Sequence, residues 1–289
     1  MRIDDFPKTR TLKVVRWLYD HLLSTLSLAF WTCWAGRYYG LEFCRAARWP
    51  ITPSGRGLSK PLEFKRLLRR GLITDQDILL IGAGGGEEAL PWLLYKPKSV
   101  CAMDLQDYRI GWKHLTRNAS EPPLHFVQSD AGKLPFRDAS FDLLTSFATL
   151  EHIVPLQNHM REAHRVLRPE GCYYAVFGPL WRTYKGSHLD SLGYSHLLVS
   201  ENELQRLAKA SDDREKEWLE KGLLNRCRYE DYMNIFKPYF NVEYQAWTLS
   251  NRGLQFRREN PLVWERLRKQ YSEQDLLLST VNLLLRKRV

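Results

Sequence analysis

Residues 77–90 read DILLIGAGGGEEAL, an apolar run flanked by polar residues that breaks into glycine just where a strand would turn into a helix. A short continuous apolar run bounded by turn signals is the pattern of a buried strand. The following EEALPWLLY (87–95) carries a helical pattern, so the spacing predicts strand, bare loop, helix. Glycine at a strand exit has two uses. It forms a tight turn, or it lets a ligand approach the backbone and the helix N-terminus.

The same beat continues on both sides. EFKRLLRRGL (63–72) leads in as a helix. SVCAMDLQ (99–106), LHFVQSD (124–130), FDLLTSFATL (141–150) and GCYYAVFGPL (171–180) read as strands, with helices at YRIGWKHLTR (108–117) and LQNHMREAHRVL (156–167). Strands that are continuously apolar, and not alternating, belong to a parallel sheet covered on both faces. FNVEYQAWTLS (240–250) and LSTVNLLLRKR (278–288) are expected to pair as an antiparallel hairpin at the sheet edge, with 251–277 looping out between them. The fold class is therefore α/β, a Rossmann-like doubly wound sheet of seven strands, mostly parallel with an antiparallel C-terminal strand.

RWPITPSGRGLSKP (48–61) gathers Pro, Gly and Ser into a boundary loop. It divides an N-terminal helical, basic and aromatic segment (1–62) from the main domain (63–289). Within that domain the rhythm is lost from Trp181 to Pro238, a charged and mostly helical insertion. The N-terminal segment and this insertion are the two candidates for a cap over the carboxyl edge of the sheet.

With 289 residues, 44% of them hydrophobic, the chain is long enough to bury a sizeable core. Its five cysteines are odd in number, widely spaced and never in a C-x-x-C pair, which points away from a disulfide framework or a zinc site and toward a reducing, cytoplasmic setting. The opening MRIDDFPKTRTLK carries acids and is not followed at once by a hydrophobic core and cleavage site, so no signal peptide is expected. The charge of +10 is concentrated early: residues 1–72 hold 14 Lys and Arg against 5 Asp and Glu. LLSTLSLAFWTCWAG (22–36) lies there too, shorter than the ~20 apolar residues of a spanning helix. It serves as a core or lid helix, or residues 12–49 lie against the inner face of an anionic membrane. Nucleic acid is disfavoured, because the basic residues form no dense run.

In an open parallel sheet, ligands sit beyond the carboxyl ends of the strands, where connections diverge. Gly82, Gly84 and Gly86 fall there. Asp104, 22 residues after Gly82, ends the second strand, where a carboxylate accepts both hydroxyls of a ribose or simply caps the next helix. Asp130, with Ala131, ends the third, where an adenine ring would lie or a turn would need an acid. Glu87 and Glu88 would repel a pyrophosphate at the helix N-terminus. They suit a cofactor without phosphate, and S-adenosylmethionine offers a ribose, an adenine and a sulfonium.

These residues resemble the class I S-adenosylmethionine-dependent methyltransferases, in particular the branch that includes the ubiquinone and menaquinone methyltransferases. ILLIGAGGG is similar to its glycine motif and CAMDL to its second-strand acid. SDAGKLPFRDASFDLLTSFATLEHI (129–153) follows its Asp, Leu-Pro-Phe, Ser-Phe-Asp and Leu-Glu-His pattern, and REAHRVLRPEG (161–171) its next helix and turn. The similarity covers about residues 75–180. Leu80 departs from it, standing where many relatives carry an acid. The resemblance implies that Gly82, Ala83, Gly84 and Gly86 line the methionine and ribose, that Asp104 holds the ribose hydroxyls with Leu105 against the adenine, that Asp130 and Ala131 meet the adenine, and that Phe147 lies beside the sulfonium. S-adenosylhomocysteine would be the product.

Methyl transfer needs mainly an aligned nucleophile and exclusion of water, and a base only when the acceptor must lose a proton. The candidate bases are His188 and His196 in GSHLDSLGYSHLL (186–198), with Asp190 near, and His152 at the exit of the fourth strand. No third ligand accompanies the two histidines, so no metal is expected. YYGLEFCRAARWP, HLLVSENEL and LNRCRYEDYMNIF resemble methyltransferases found with bacterial surface-polysaccharide enzymes. This implies a small-molecule or glycan acceptor, phosphorylated, nucleotide-linked or lipid-linked, on which Trp181, Tyr184 and Tyr194 would stack if they are not core. The competing expectations are a membrane-associated lipid or quinone methyltransferase and a non-catalytic binding module of the same fold.

Overall fold

The computed structural model describes residues 67, 69–86, 89–93, 95–116, 124–189, 191–212 and 215–289. The segment 1–62, with its apolar run and basic surplus, lies outside them, as do Glu87, Glu88 and Asp190. The chain divides into two compact units, residues 1–71 with 110–122 and residues 72–109 with 123–289. Of the first, residues 67, 69–71 and 110–116 are described.

The second unit is built on a seven-stranded sheet in the order β3-β2-β1-β4-β5-β7-β6. The strands are β1 (Asp77–Ile81), β2 (Ser99–Asp104), β3 (Leu124–Gln128), β4 (Phe141–Phe147), β5 (Leu167–Phe177), β6 (Phe240–Leu249) and β7 (Leu278–Lys287). The first five are parallel. β7 runs antiparallel to both β5 and β6, and β6 forms the outer edge. Every residue of β1 is buried, as are the central residues of β2 and most of β4 and β5, which is why these strands are apolar without alternation.

The helices are α1 (Leu90–Leu93), α2 (Arg109–Thr116, largely in the first unit), α3 (Leu156–Val166), α4 (Glu201–Ala210), α5 (Lys216–Glu220), α6 (Tyr229–Phe236), α7 (Asn251–Glu259), α8 (Pro261–Arg268) and α9 (Glu273–Leu277). On α3, Leu156, Met160, Ala163 and Val166 recur at helical spacing and enter the main core beside Leu144, Tyr173 and Phe177. Residues 251–277, expected to loop out, are instead three short helices. Ser250 and Ser272 cap α7 and α9 through hydrogen bonds from the Gly253 and Asp275 amides, and Pro261 stands in the first turn of α8. Trp264, Leu267, Leu276 and Leu277 gather there around Tyr194.

The stretch from Trp181 to Pro238 falls into two parts. Leu189, Leu204, Ala208, Leu219 and Leu224 form a small core of their own. Beyond it, Tyr232 and Phe236 of α6 join the main core, where Tyr232 packs on Phe177 with ring centroids 4.5 Å apart. None of the described helices is long and apolar enough to cross a membrane.

Candidate active site

The order of strands reverses between β1 and β4, so their connections leave in opposite directions and open a crevice at their carboxyl ends. The glycine loop starts on one side of it. The Gly82 and Ala83 amides donate to the Met103 carbonyl, both at 2.9 Å, and the Gly84 amide donates to Asp104 Oδ2 at 2.8 Å. The loop is thereby stitched to the end of β2. Gly82 has φ +75°, and a Cβ there would lie 2.2 Å from Thr149 Oγ1, so its bareness makes room for the exit of β4. Gly84, at φ +52°, faces open space. No neighbouring atom among the described residues accounts for the bareness of the loop at Gly84.

Asp104 accepts from Gly84 through Oδ2 and from the Gln106 amide through Oδ1 at 2.9 Å. Each carboxylate oxygen has two acceptor positions, so each can take one further hydrogen bond. Leu105 beside it is 52% exposed. Asp130 Oδ1 accepts from the Gly132 amide at 2.7 Å. Phe147 closes β4, its ring edge-on to Tyr174 at 6.1 Å between centroids.

The loop after β3 is held from below by one face of α3, a feature that the sequence reading missed. Its members stand three residues apart, at 159, 162 and 165. His159 Nδ1 lies 2.9 Å from the Ala131 carbonyl. Glu162 Oε2 accepts from the Leu134 amide, and Arg165 donates to the Leu134 and Phe136 carbonyls and to Asp138. The Arg165 hydrogen bonds hold the Glu162 carboxyl below its ordinary range. Burial pushes the His159 imidazole down to about 4. The signal available in the sequence was the polar H-x-x-E-x-x-R spacing within HMREAHR.

Of the three histidines singled out, two come together. His152 ends the short 3-10 turn Leu150–His152 after β4, and His188 follows β5, so the adjacency of β4 and β5 brings residues 36 positions apart to a ring separation of 4.7 Å. His152 Nδ1 is 3.2 Å from the Leu223 carbonyl, and its ring lies on Trp218 at 4.3 Å. The turn that carries it is pinned by Asn225, whose side chain donates to the Leu150 carbonyl at 2.6 Å and whose amide donates to that of Glu151.

His188 is buried and holds a left-handed φ of +61°, a conformation that costs a non-glycine residue about 1 kcal/mol or more. Its Nδ1 is 3.2 Å from Glu215 Oε2, and its Nε2 has no hydrogen-bond partner among the described residues. Since a carboxylate only accepts, the Nδ1 carries the proton and the Nε2 the lone pair. His196 stands apart from this pair. Its two ring nitrogens face the carbonyls of Gly193 (2.6 Å) and Trp181 (2.7 Å), leaving no lone pair open to a substrate, and burial holds its pKa down.

The aromatic residues of the insertion are packed. The Arg226 guanidinium lies 4.3 Å over the Trp181 ring, Tyr194 donates its hydroxyl to the Leu276 carbonyl, and Tyr184 packs edge-on to Tyr194. No cluster of three metal-ligating side chains occurs among the described residues.

Residues 79–175 match the model of the family described as "Methyltransferase domain". An uncharacterized methyltransferase of Bacillus subtilis, YcgJ, is 25% identical over 191 residues, which is 64% of this chain and 69% of that protein. The ubiquinone/menaquinone biosynthesis C-methyltransferase UbiE of Bartonella henselae is 37% identical over 67 residues, 23% of this chain and 26% of that one. Among solved structures, an S-adenosylmethionine-dependent methyltransferase from Mesorhizobium loti superposes with a TM-score of 0.51 at 19% identity, covering 80% of this chain and all of the other. By the family match and the sheet order together, residues 79–175 are similar to a methyltransferase domain carried on a Rossmann-like sheet.

Proposed function

We propose that the chain transfers the methyl group of S-adenosylmethionine to a hydroxyl of a small-molecule or glycan acceptor, with His188 as general base. The observation that carries this is the buried His188 Nε2, a lone pair without a partner on a ring whose other nitrogen is held by Glu215. The cofactor would supply a sulfonium-activated methyl group. Around it, Gly82, Ala83, Gly84 and Gly86 line the methionine and ribose, Asp104 accepts from the ribose hydroxyls, Leu105, Asp130 and Ala131 flank the adenine, and Phe147 keeps water from the sulfonium. His188 Nε2 would take the proton of the acceptor hydroxyl as it is methylated, and the Glu215 carboxylate would stabilise the resulting imidazolium. His152 packs against that ring, and Trp218 packs in turn on His152. Residues 189–224, with their own small core, serve as a cap over the acceptor.

The test is a screen of hydroxyl acceptors, free, nucleotide-linked and lipid-linked sugars included, for a mass gain of one methyl group. The His188→Ala protein is expected to bind S-adenosylmethionine like the unaltered one and to lose ~10²-fold or more in transfer rate. Equal rates in the two proteins would exclude His188 as base.

The partial similarity to a quinone C-methyltransferase supports a second reading, methylation of carbon on a lipid or quinone at a membrane surface. A methyl group found on carbon by NMR of the product would favour it.

A further inference from the structure

A buried polar chain runs beneath the proposed adenine side of the crevice. His159, Tyr173 and Ser146 are each no more than 1% exposed. His159 Nε2 lies 2.8 Å from Tyr173 Oη, which lies 3.0 Å from Ser146 Oγ. The protons are ordered by what each group can do. The Ala131 carbonyl only accepts, so His159 Nδ1 donates to it and Nε2 is left to accept. Tyr173 has one proton and gives it to Nε2, and the Ser146 hydroxyl turns to donate to the tyrosine oxygen. Three donations thus run one way, from the residue next to Phe147 on β4, across β5 and α3, to the carbonyl of Ala131. A neutral imidazole held on both sides has one orientation, and the carbonyl it holds has one direction.

We infer that His159 is a positioning residue for adenine recognition: through the Ala131 carbonyl it orients the Asp130–Ala131 turn, so that Asp130 Oδ2 is aimed at the exocyclic amino group of the purine. Asp130 Oδ1 is already taken by the Gly132 amide, which leaves Oδ2 for that contact. A carboxylate there accepts from an amino group and repels the carbonyl oxygen that an inosyl group carries in its place. This inference rests on the cofactor seat proposed above. Glu162 and Arg165 hold residues 134–138 independently, so loss of the His159 contact leaves the rest of the loop tied down.

The experiment compares His159→Gln and His159→Asn by calorimetric titration with S-adenosylhomocysteine and with S-inosylhomocysteine. An asparagine amide reaches the position of Nδ1 and still donates to Ala131, while a glutamine amide reaches that of Nε2 and does not. The expected result is that H159Q binds the adenosyl compound ~10-fold more weakly and discriminates less between the two, and that H159N stays within ~3-fold of the unaltered protein. A merely structural loss would not be rescued by asparagine or change the discrimination. If H159Q binds and discriminates like the unaltered protein, or H159N is no better than H159Q, the inference is overturned. Asp104→Ala separates the two claims: weakened binding in D104A with none in H159Q overturns the positioning role alone, whereas no binding to the unaltered protein overturns the seat and this inference with it.

Discussion

Acid should unfold this protein partly through one buried imidazole. His159 is wholly buried, and desolvation moves its pKa from 6.5 down to about 4. Between those two values the unfolded chain binds a proton that the folded chain refuses, so stability falls as pH falls. Each pH unit in the window costs about 1.4 kcal/mol, and the whole window about 3 kcal/mol. Above pH 6.5 the group is neutral in both states and contributes no slope, and below about 4 it is charged in both and the slope ends. His196 works in the same direction, and lowered carboxylates such as Glu162 and Asp231 add their own slope at the acid end. A difference measurement isolates His159. Urea unfolding of the unaltered and H159Q proteins at intervals from pH 7.5 to 4.5 should show the variant less stable at pH 7.5, since it loses buried hydrogen bonds, but flatter. Between pH 6 and 4.5 the unaltered protein should lose about 2 kcal/mol more than the variant. Parallel lines for the two proteins would mean that His159 takes up its proton without cost when folded, and the buried neutral ring would be wrong.

Gly82→Ala should cost well over 2 kcal/mol in urea unfolding, because its Cβ would lie inside contact distance of Thr149 at φ +75°, whereas Gly84→Ala, with open space around it, should cost about 1 kcal/mol. Similar losses would place the strain elsewhere. Arg165→Ala should destabilise by about 2 kcal/mol, since it removes donors from two loop carbonyls and the partner of Glu162, and a change within error would show the ladder to be decorative. Asp104→Ala should weaken S-adenosylmethionine binding by about 1–3 kcal/mol on calorimetry, with unchanged affinity excluding it from the seat.

The strands of the sheet were legible because β1, β2, β4 and β5 are buried on both faces, and burial leaves an uninterrupted apolar run. Asp104 was legible as a strand-end acid because its position relative to the glycine loop is set by one strand and one turn. What was hidden depends on residues distant in the chain. Gly82 is bare for Thr149, 67 positions on, and no local pattern announces that. The approach of His188 to His152 follows from the pairing of β4 with β5. His159, Glu162 and Arg165 looked like an ordinary polar face of a helix, and only the loop folded against it shows what they hold. The helices of 251–277 were missed for a simpler reason: α7, α8 and α9 are short, and the serine and proline that start two and one of them read equally well as turn residues.

The central claim is that the crevice at β1 and β4 seats a cofactor with a ribose and an adenine but no phosphate. Calorimetric titration of the purified protein with S-adenosylmethionine and, in parallel, with NAD tests it most directly. Saturable binding of S-adenosylmethionine with none of NAD is the result expected. Binding of NAD, or of neither, would contradict it.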